Sequence, residues 1–288
     1  MRAPSIFAKT LRDQRWQIVG FGVTLALVAA LDVLLWPSYR DTLQNLQIPP
    51  ALQALLGTDL SLATPAGFLS SEFFSWTPVL LIVYAVIQGT GAIAGEESAG
   101  TLELLLSQPV PRRSVMVQKA AAVCIGAVAI LAIAYCGFAL TVPFVSIDVT
   151  LGDVAAGVLN MLPITLLFFG LALWLGAYAP SRGLAAAIAV GVATAAYVIN
   201  TFAVGIEALR SLRFATPFYY YGSGLPLVRG VQWWHFGLLT GIALAFFALS
   251  LWAFERRDIS AGGGADVDVM AELRRLFGGH READRPAA

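Results

Sequence analysis

Few residues in this chain have the type and spacing for catalysis. The two histidines, His235 and His280, stand in separate segments, and neither sits in a His-Glu-x-x-His pattern that would seat a metal. Gly222-Ser223-Gly224 has the small residues of a nucleophile turn but lacks the full Gly-x-Ser-x-Gly elbow, and no acid–histidine partner is evident. The two lysines, Lys9 and Lys119, follow Ala8 and Gln118. A phosphate-binding loop needs Gly-x4-Gly-Lys-Ser/Thr, because backbone amides and the lysine hold the phosphates together. The chain therefore has no recognisable nucleotide site of its own. Cys124 and Cys136 are twelve residues apart, roughly 18 Å along a helix. That is too far for a disulfide, and both read as small buried hydrophobes.

One stretch carries a denser pattern. It runs Gly95-Glu96-Glu97-Ser98-Ala99-Gly100-Thr101-Leu102-Glu103-Leu104-Leu105-Leu106-Ser107-Gln108-Pro109-Val110-Pro111-Arg112-Arg113 and continues to Lys119. Gly100 frees the backbone and Thr101 caps a short helix. Glu103 then lies in its first turn, where the helix dipole favours an acid. Leu102, Leu105 and Leu106 share one face at spacings of three and four. Pro109 and Pro111 stop the helix and stiffen the return. Arg112, Arg113 and Lys119 bracket the re-entry into an apolar segment, at headgroup level. The pattern predicts a short amphipathic helix with an acidic pair at its root. On composition alone it is equally an interfacial loop with ordinary topogenic charges.

The elements that must hold this stretch are apolar helices. The chain has 288 residues, 58% hydrophobic and 12% charged, against about 45–50% and about 25% in soluble domains. Its 18 basic and 18 acidic residues cancel. A soluble enzyme of this size needs more polar surface, and a nucleic-acid binder needs net basic charge. A bilayer core takes about 20 apolar residues per helix. Six stretches qualify: Ile18–Trp36, Trp76–Ala94, Ala120–Val145, Val154–Tyr178, Gly183–Val204 and His235–Phe254. The first is too long for a signal peptide and lacks a small-residue cleavage pattern.

Six spans put both termini on one side, and the positive-inside rule selects the cytoplasm. With that orientation the inner segments hold Arg2, Lys9, Arg12, Arg15, Arg112, Arg113, Lys119, Arg182, Arg256, Arg257, Arg274, Arg275, Arg281 and Arg285, fourteen of the 18 bases. The outer segments keep Arg40, Arg210, Arg213 and Arg229.

Within the spans Asp32 is the one charge. A charge at mid-bilayer costs about 3 kcal/mol, but Asp32 lies four residues before Trp36, near the outer end. It reads as an interfacial or packed acid, with a place in a transport pathway as the alternative. Asn160, Thr165, Thr194 and Asn200 read first as interhelical hydrogen-bond partners. Pro78, Pro143 and Pro163 are expected to break or kink their helices locally.

The flanks have their own organisation. Residues 1–15 combine Arg2, Lys9, Arg12 and Arg15 with Ile6, Phe7 and Leu11, and Pro4-Ser5 opens a helix suited to an anionic inner leaflet. Residues 258–288 form a tail: Gly262-Gly263-Gly264 is a linker, and residues 266–277 read as a short amphipathic helix for the membrane or a partner. Its last eight residues read as disordered. Of the two long outer segments, 37–75 contains a predicted helix over Pro50–Leu56, and 205–234 is an aromatic belt.

The pattern Glu-Glu-x-x-Gly-Thr-Leu-Glu-Leu-Leu-Leu-Ser-x-Pro-Val-x-Arg, with a lysine a few residues on, resembles the signature of type-2 ATP-binding-cassette (ABC) transporter permeases. The resemblance is strong over Glu96–Lys119 and looser over the six-span layout. It includes Thr216-Pro217-Phe218-Tyr219-Tyr220 before the last span and Arg256-Arg257-Asp258 after it. It implies an all-α integral membrane protein with six transmembrane helices, N and C termini cytoplasmic, in the type-2 ABC exporter permease architecture. Its parts would be a connecting helix over 1–15, a transmembrane domain over 16–257 and a cytoplasmic tail over 258–288. The loop 95–119 would couple to a separate ATPase through Glu96, Glu97, Gly100, Thr101, Leu102, Glu103, Leu105 and Leu106, anchored by Arg112, Arg113 and Lys119. Partly re-entrant helices would precede the last span. Two permease copies, identical or related, would pair, with a pathway between them lined by the first, second and fifth spans; Asp32 and Asn200 are its candidate polar residues. This chain would bind no cofactor, ATP and Mg being held by the ATPase. The expected location is the bacterial inner membrane, among its lipids and away from nucleic acid.

Other classes fit less. An intramembrane enzyme lacks its catalytic vocabulary here. A secondary transporter or channel would carry internal repeats with broken helices at matching positions, and none is convincing. Within the family the alternative to export of a small solute is an ATP-driven complex acting on a lipid or an extracytoplasmic partner protein.

Overall fold

The computed structural model describes residues 5–45, 63–96, 111–203, 206, 210–222 and 225–256. Every regular element among them is helical. Helix α1 covers Ile6–Asp13 and α2 covers Arg15–Asn45. Helix α3, Pro65–Leu69, runs through a π-turn at Ser70–Phe74 toward α4, Thr77–Thr90, which ends in a second π-turn at Gly91–Gly95. Helix α5 is Arg112–Thr141, α6 is Leu151–Tyr178 and α7 is Arg182–Phe202. Three short helices follow: α8, Arg210–Arg213; α9, Pro217–Gly222; and α10, Pro226–Arg229. Helix α11, Trp233–Arg256, is the last.

Six helical segments among the described residues are long and apolar enough to cross a membrane, in the order read from the sequence. Their ends differ from hydropathy alone. The first helix continues past Trp36 to Asn45 with Pro37 inside it. The second begins at Pro65 instead of Trp76. Phe68, Leu69, Phe73 and Phe74 are buried there, against Trp36 and Phe138 among others. Ser70, Ser71, Glu72 and Ser75 dilute the apolar signal. The third begins at Arg112, eight residues before Ala120. The prolines also divide: Pro78 lies in the first turn of α4, Pro143 lies in the 3-10 turn after α5, and Pro163 sits inside a continuous α6.

Sequence explains several starts. Ser5, Thr64 and Ser181 accept from backbone N–H groups three residues on, at 3.2, 3.2 and 3.3 Å. Each satisfies an amide that lacks a helical partner. Thr150 and Asp153 form a reciprocal capping box at the start of α6.

Helix α6 is the centre of the bundle. Its most apolar stretch is 78% buried, against 22% for α2, 17% for α7 and 22% for α11. It packs on α4 and α11, while α2 packs along α5. In lipid, helices associate by close van der Waals fit, which favours small residues at contacts. At Gly137 a methyl would lie 2.2 Å from the Ala26 carbonyl oxygen, so α2 and α5 touch backbone to backbone. Of the cysteines, Cys124 is half-buried but Cys136 is exposed, so the second is not the interior residue that its apolar surroundings suggest.

The chain enters and leaves the bundle at one end, because α1 packs on the start of α5 and Arg113 of α5 pairs with Glu255 of α11. At the opposite end α9 enters the bundle. The Asn160 amide donates to the Tyr221 carbonyl at 2.8 Å, and the Tyr221 hydroxyl donates to the Phe74 carbonyl at 2.7 Å. Asn160 lies nine residues inside α6, about 14 Å from its start. Two polar groups of this short helix, the Tyr221 carbonyl and hydroxyl, are thus met by protein inside the bundle. Exposed aromatics mark both ends of α11: Trp234 and Trp252 are eighteen residues apart, about 27 Å, close to the thickness of a bilayer core. The predicted helices at Pro50–Leu56 and 266–277 lie outside the described residues.

Candidate functional site

The end of the bundle that carries α1 holds the buried polar residues Gln14, Thr90 and Lys119. Helix α4 brings Tyr84 and Gln88 down one face, then passes through the π-turn at Gly91–Gly95 to Glu96. Helix α5 returns from Pro111, its N-cap, with Arg112, Arg113 and Lys119 in its first turns.

Lys119 is 5% exposed. Its ammonium pairs with Glu96 and donates to the Ala92 carbonyl at 2.6 Å. An interior ammonium needs both an opposite charge and hydrogen-bond acceptors, and this one has a carboxylate and a carbonyl. Lys119 thus differs from the headgroup-level charge expected of it: it ties the two roots of the 97–110 segment inside the protein. Arg113 is bidentate on Glu255, with its Nη2 2.9 Å from Oε2. Arg112 lies 5.8 Å over the Phe254 ring and donates to the Phe254 carbonyl at 3.4 Å. The start of α5 is therefore clamped to the end of α11.

Arg182, at the first turn of α7, lies along the second π-turn. A methyl at Gly91 would lie 3.4 Å from its Nη2, and one at Gly95 3.5 Å from its Cδ. It donates to the Ile87 carbonyl at 3.5 Å. A cavity of about 240 Å³ opens beside these groups, with Thr10, Asp13, Gln14, Gln17, Gln88 and Arg182 among its lining residues.

Among the coupling residues named from the sequence, Glu96 is placed here; Glu97, Gly100, Thr101, Leu102, Glu103, Leu105 and Leu106 lie outside the described residues. Arg112, Arg113 and Lys119 gather at the roots of that segment. The pathway candidates lie elsewhere. Asp32 does not lie near a helix end as the sequence suggested: with α2 continuing to Asn45 it is half-buried near the middle of that helix, and one of its carboxylate oxygens is inaccessible with no hydrogen-bond partner among the described residues. Asn200 accepts from the Arg213 Nε at 3.4 Å. Asn160 makes the interelement bond expected of it, whereas the Thr165 hydroxyl donates within its own helix to Met161.

Sequence reasoning missed Gln14, Gln17, Tyr84 and Gln88, and treated Arg182 only as a topogenic charge. The available signal was three glutamines and a tyrosine at spacings of three and four at the ends of apolar segments. Among the described residues no group of three or more His, Cys, Asp and Glu residues is placed to hold a metal. His235 packs edge-on against Tyr220 at 5.5 Å. What the arrangement supplies is mechanical: two roots of one segment, tied to each other and to three helices.

Comparison with known proteins agrees with this layout. A family model described as "ABC-2 family transporter protein" matches residues 5–259, which includes all six spans and the segment between α4 and α5. Comparison with curated proteins gives no match.

Proposed function

The chain belongs to the ABC-2 transporter family, and from that premise we propose that it is the permease subunit of an exporter driven by a separate ATPase. The family makes it a multi-pass membrane protein of the permease type. The observation that carries the finer reading is the tying of both roots of 97–110, Glu96 on Lys119 and Arg113 on Glu255. A force on that segment would pass into α4 and α5 and, through the Arg113–Glu255 pair, into α11.

ATP and Mg would be held by the partner, consistent with the lysine contexts of this chain. Closure of two ATPases would push the 97–110 segment through Glu97 and the Thr101–Ser107 stretch. The spans would then rock from inward-open to outward-open. The charge distribution, fourteen of 18 bases on one side, supports cytoplasmic termini, in a bacterial inner membrane.

A second permease copy is supported by the open faces of α2 and α7. Gly183, Ala187, Gly191 and Ala195 recur every four residues along the exposed face of α7, and methyls at Gly183 and Gly191 would meet nothing within 4 Å. Gly20 on α2 is equally open. Small residues at this spacing let helices of two copies approach closely.

The test is Glu97→Arg in the intact complex. The expected result is at least a tenfold loss of co-purifying ATPase and of permease-dependent hydrolysis, with unchanged membrane insertion. Retention of both would overturn the coupling role of this segment.

A further inference from the structure

Gln14 is the one residue between α1 and α2 that belongs to neither helix. Its side chain is buried, 3% exposed. Its Nε2 donates to the Ala122 carbonyl of α5 at 2.7 Å. Its Oε1 accepts from the Tyr84 hydroxyl and from the Gln88 Nε2 of α4, each at 3.0 Å. Gln88 also donates to the Gln17 Oε1 of α2 at 2.9 Å. A carboxamide has two donors and two acceptor sites; three of the four are used here, on two different helices. A leucine of similar volume would fill the same space and make none of these bonds.

The surroundings are shaped for that network. A methyl at Gly126 would lie 2.3 Å from the Tyr84 hydroxyl and 3.1 Å from the Gln14 Nε2. The residue facing the network thus has no side chain to displace it. At the other end of α1, the Phe7 amide donates to the Gln118 Oε1 at 3.2 Å. Helix α1 is therefore held at both ends by glutamines. Gln88 lies eight residues before Glu96, about 12 Å along the helix, and Ala122 lies three residues beyond Lys119. The same two helices that root the 97–110 segment fix the elbow of α1.

We propose that the Gln14 carboxamide is a positioning joint that makes α1, the end of α4 and the start of α5 move as one body. Helix α1 is then part of the lever driven through the 97–110 segment. The assignment of that lever rests on the permease function proposed above.

The test is amide hydrogen exchange on the full chain in lipid nanodiscs, alone and with its ATPase, without nucleotide and with ATP trapped by vanadate. Peptides covering residues 6–13 and 82–96 are followed in wild type, Gln14→Leu, Gly126→Ala and Tyr84→Phe. In wild type both segments change together on trapping. Gln14→Leu and Gly126→Ala raise exchange of residues 6–13 by about tenfold in the resting state, the loss of roughly one net buried hydrogen bond. They also abolish the nucleotide response of that segment while 82–96 still responds. Tyr84→Phe removes one hydroxyl and gives a smaller change in the same direction, which keeps the test available should a harsher variant misfold. Wild-type exchange of α1 in all three variants overturns the joint. So does loosened α1 that still follows nucleotide in step with 82–96, since Gln14 would then only anchor the helix. If wild type shows no ATPase binding or nucleotide response, the permease reading fails, while the resting-state comparison still decides whether Gln14 fixes α1.

Discussion

The Lys119–Glu96 tie predicts an unequal pair of mutational effects. The side chain of Lys119 is 6% exposed and that of Glu96 is 26% exposed. Removing one partner of a buried pair costs about 3–5 kcal/mol, because a charge is left without compensation. In Glu96→Gln the interior ammonium keeps the Ala92 carbonyl but loses its counter-charge. The expected destabilisation is about 2–3 kcal/mol, below the full figure because a neutral acceptor remains. In Lys119→Met the interior charge itself is gone and an apolar chain fills its path. The Glu96 oxygen that faced Lys119 is inaccessible, but the side chain as a whole is a quarter exposed and reaches water, so the cost is about 1–2 kcal/mol. The double variant carries no unpaired interior charge and should be more stable than Glu96→Gln alone, a non-additivity of at least about 1 kcal/mol. The assay is equilibrium unfolding of the purified protein in mixed micelles, followed by tryptophan fluorescence. Equal and additive effects, or a larger cost for Lys119→Met than for Glu96→Gln, would refute the view that Lys119 is the interior partner.

Three further outcomes follow from the same geometry. Gly137→Ala places a methyl 2.2 Å from a backbone oxygen of α2; overpacking of this kind costs about 1–3 kcal/mol, visible in the same unfolding assay, whereas Gly20→Ala should be neutral. Gly191→Leu fills the open face of α7 and should shift the purified complex from two permease copies toward one by light scattering, with unfolding unchanged. A cysteine at Ser107 should resist a membrane-impermeant maleimide in intact cells and react in inverted vesicles; efficient labelling from outside would reverse the orientation.

The six spans were legible because lipid solvation leaves a direct trace in composition. Their ends were not, for a definite reason. Residues 65–75 carry Ser70, Ser71, Glu72 and Ser75, which lower the local hydropathy, yet Phe68, Leu69, Phe73 and Phe74 pack into the bundle. Burial against protein does not need a uniformly apolar helix, so a hydropathy window sees a loop there. At the candidate site, Glu96 and Lys119 were each legible as motif residues. Their pairing was not, since they lie 23 positions apart and only the placing of the start of α5 beside the π-turn after α4 brings them together. Gln14 was illegible for another reason. A lone glutamine after an amphipathic stretch looks like surface, and its burial depends on a glycine more than a hundred residues away. The coupling role proposed for the 97–110 segment comes from the resemblance to a permease signature, since spacing alone leaves the segment open between a short amphipathic helix and an ordinary interfacial loop.

The most direct test of the central claim is site-specific photo-crosslinking from Leu105 in living cells, followed by identification of the adduct. The expected result is a single dominant adduct to a separate polypeptide that carries a phosphate-binding loop, reduced at least tenfold by Glu97→Arg. Adducts confined to lipid or to the chain itself, unchanged by Glu97→Arg, would contradict it.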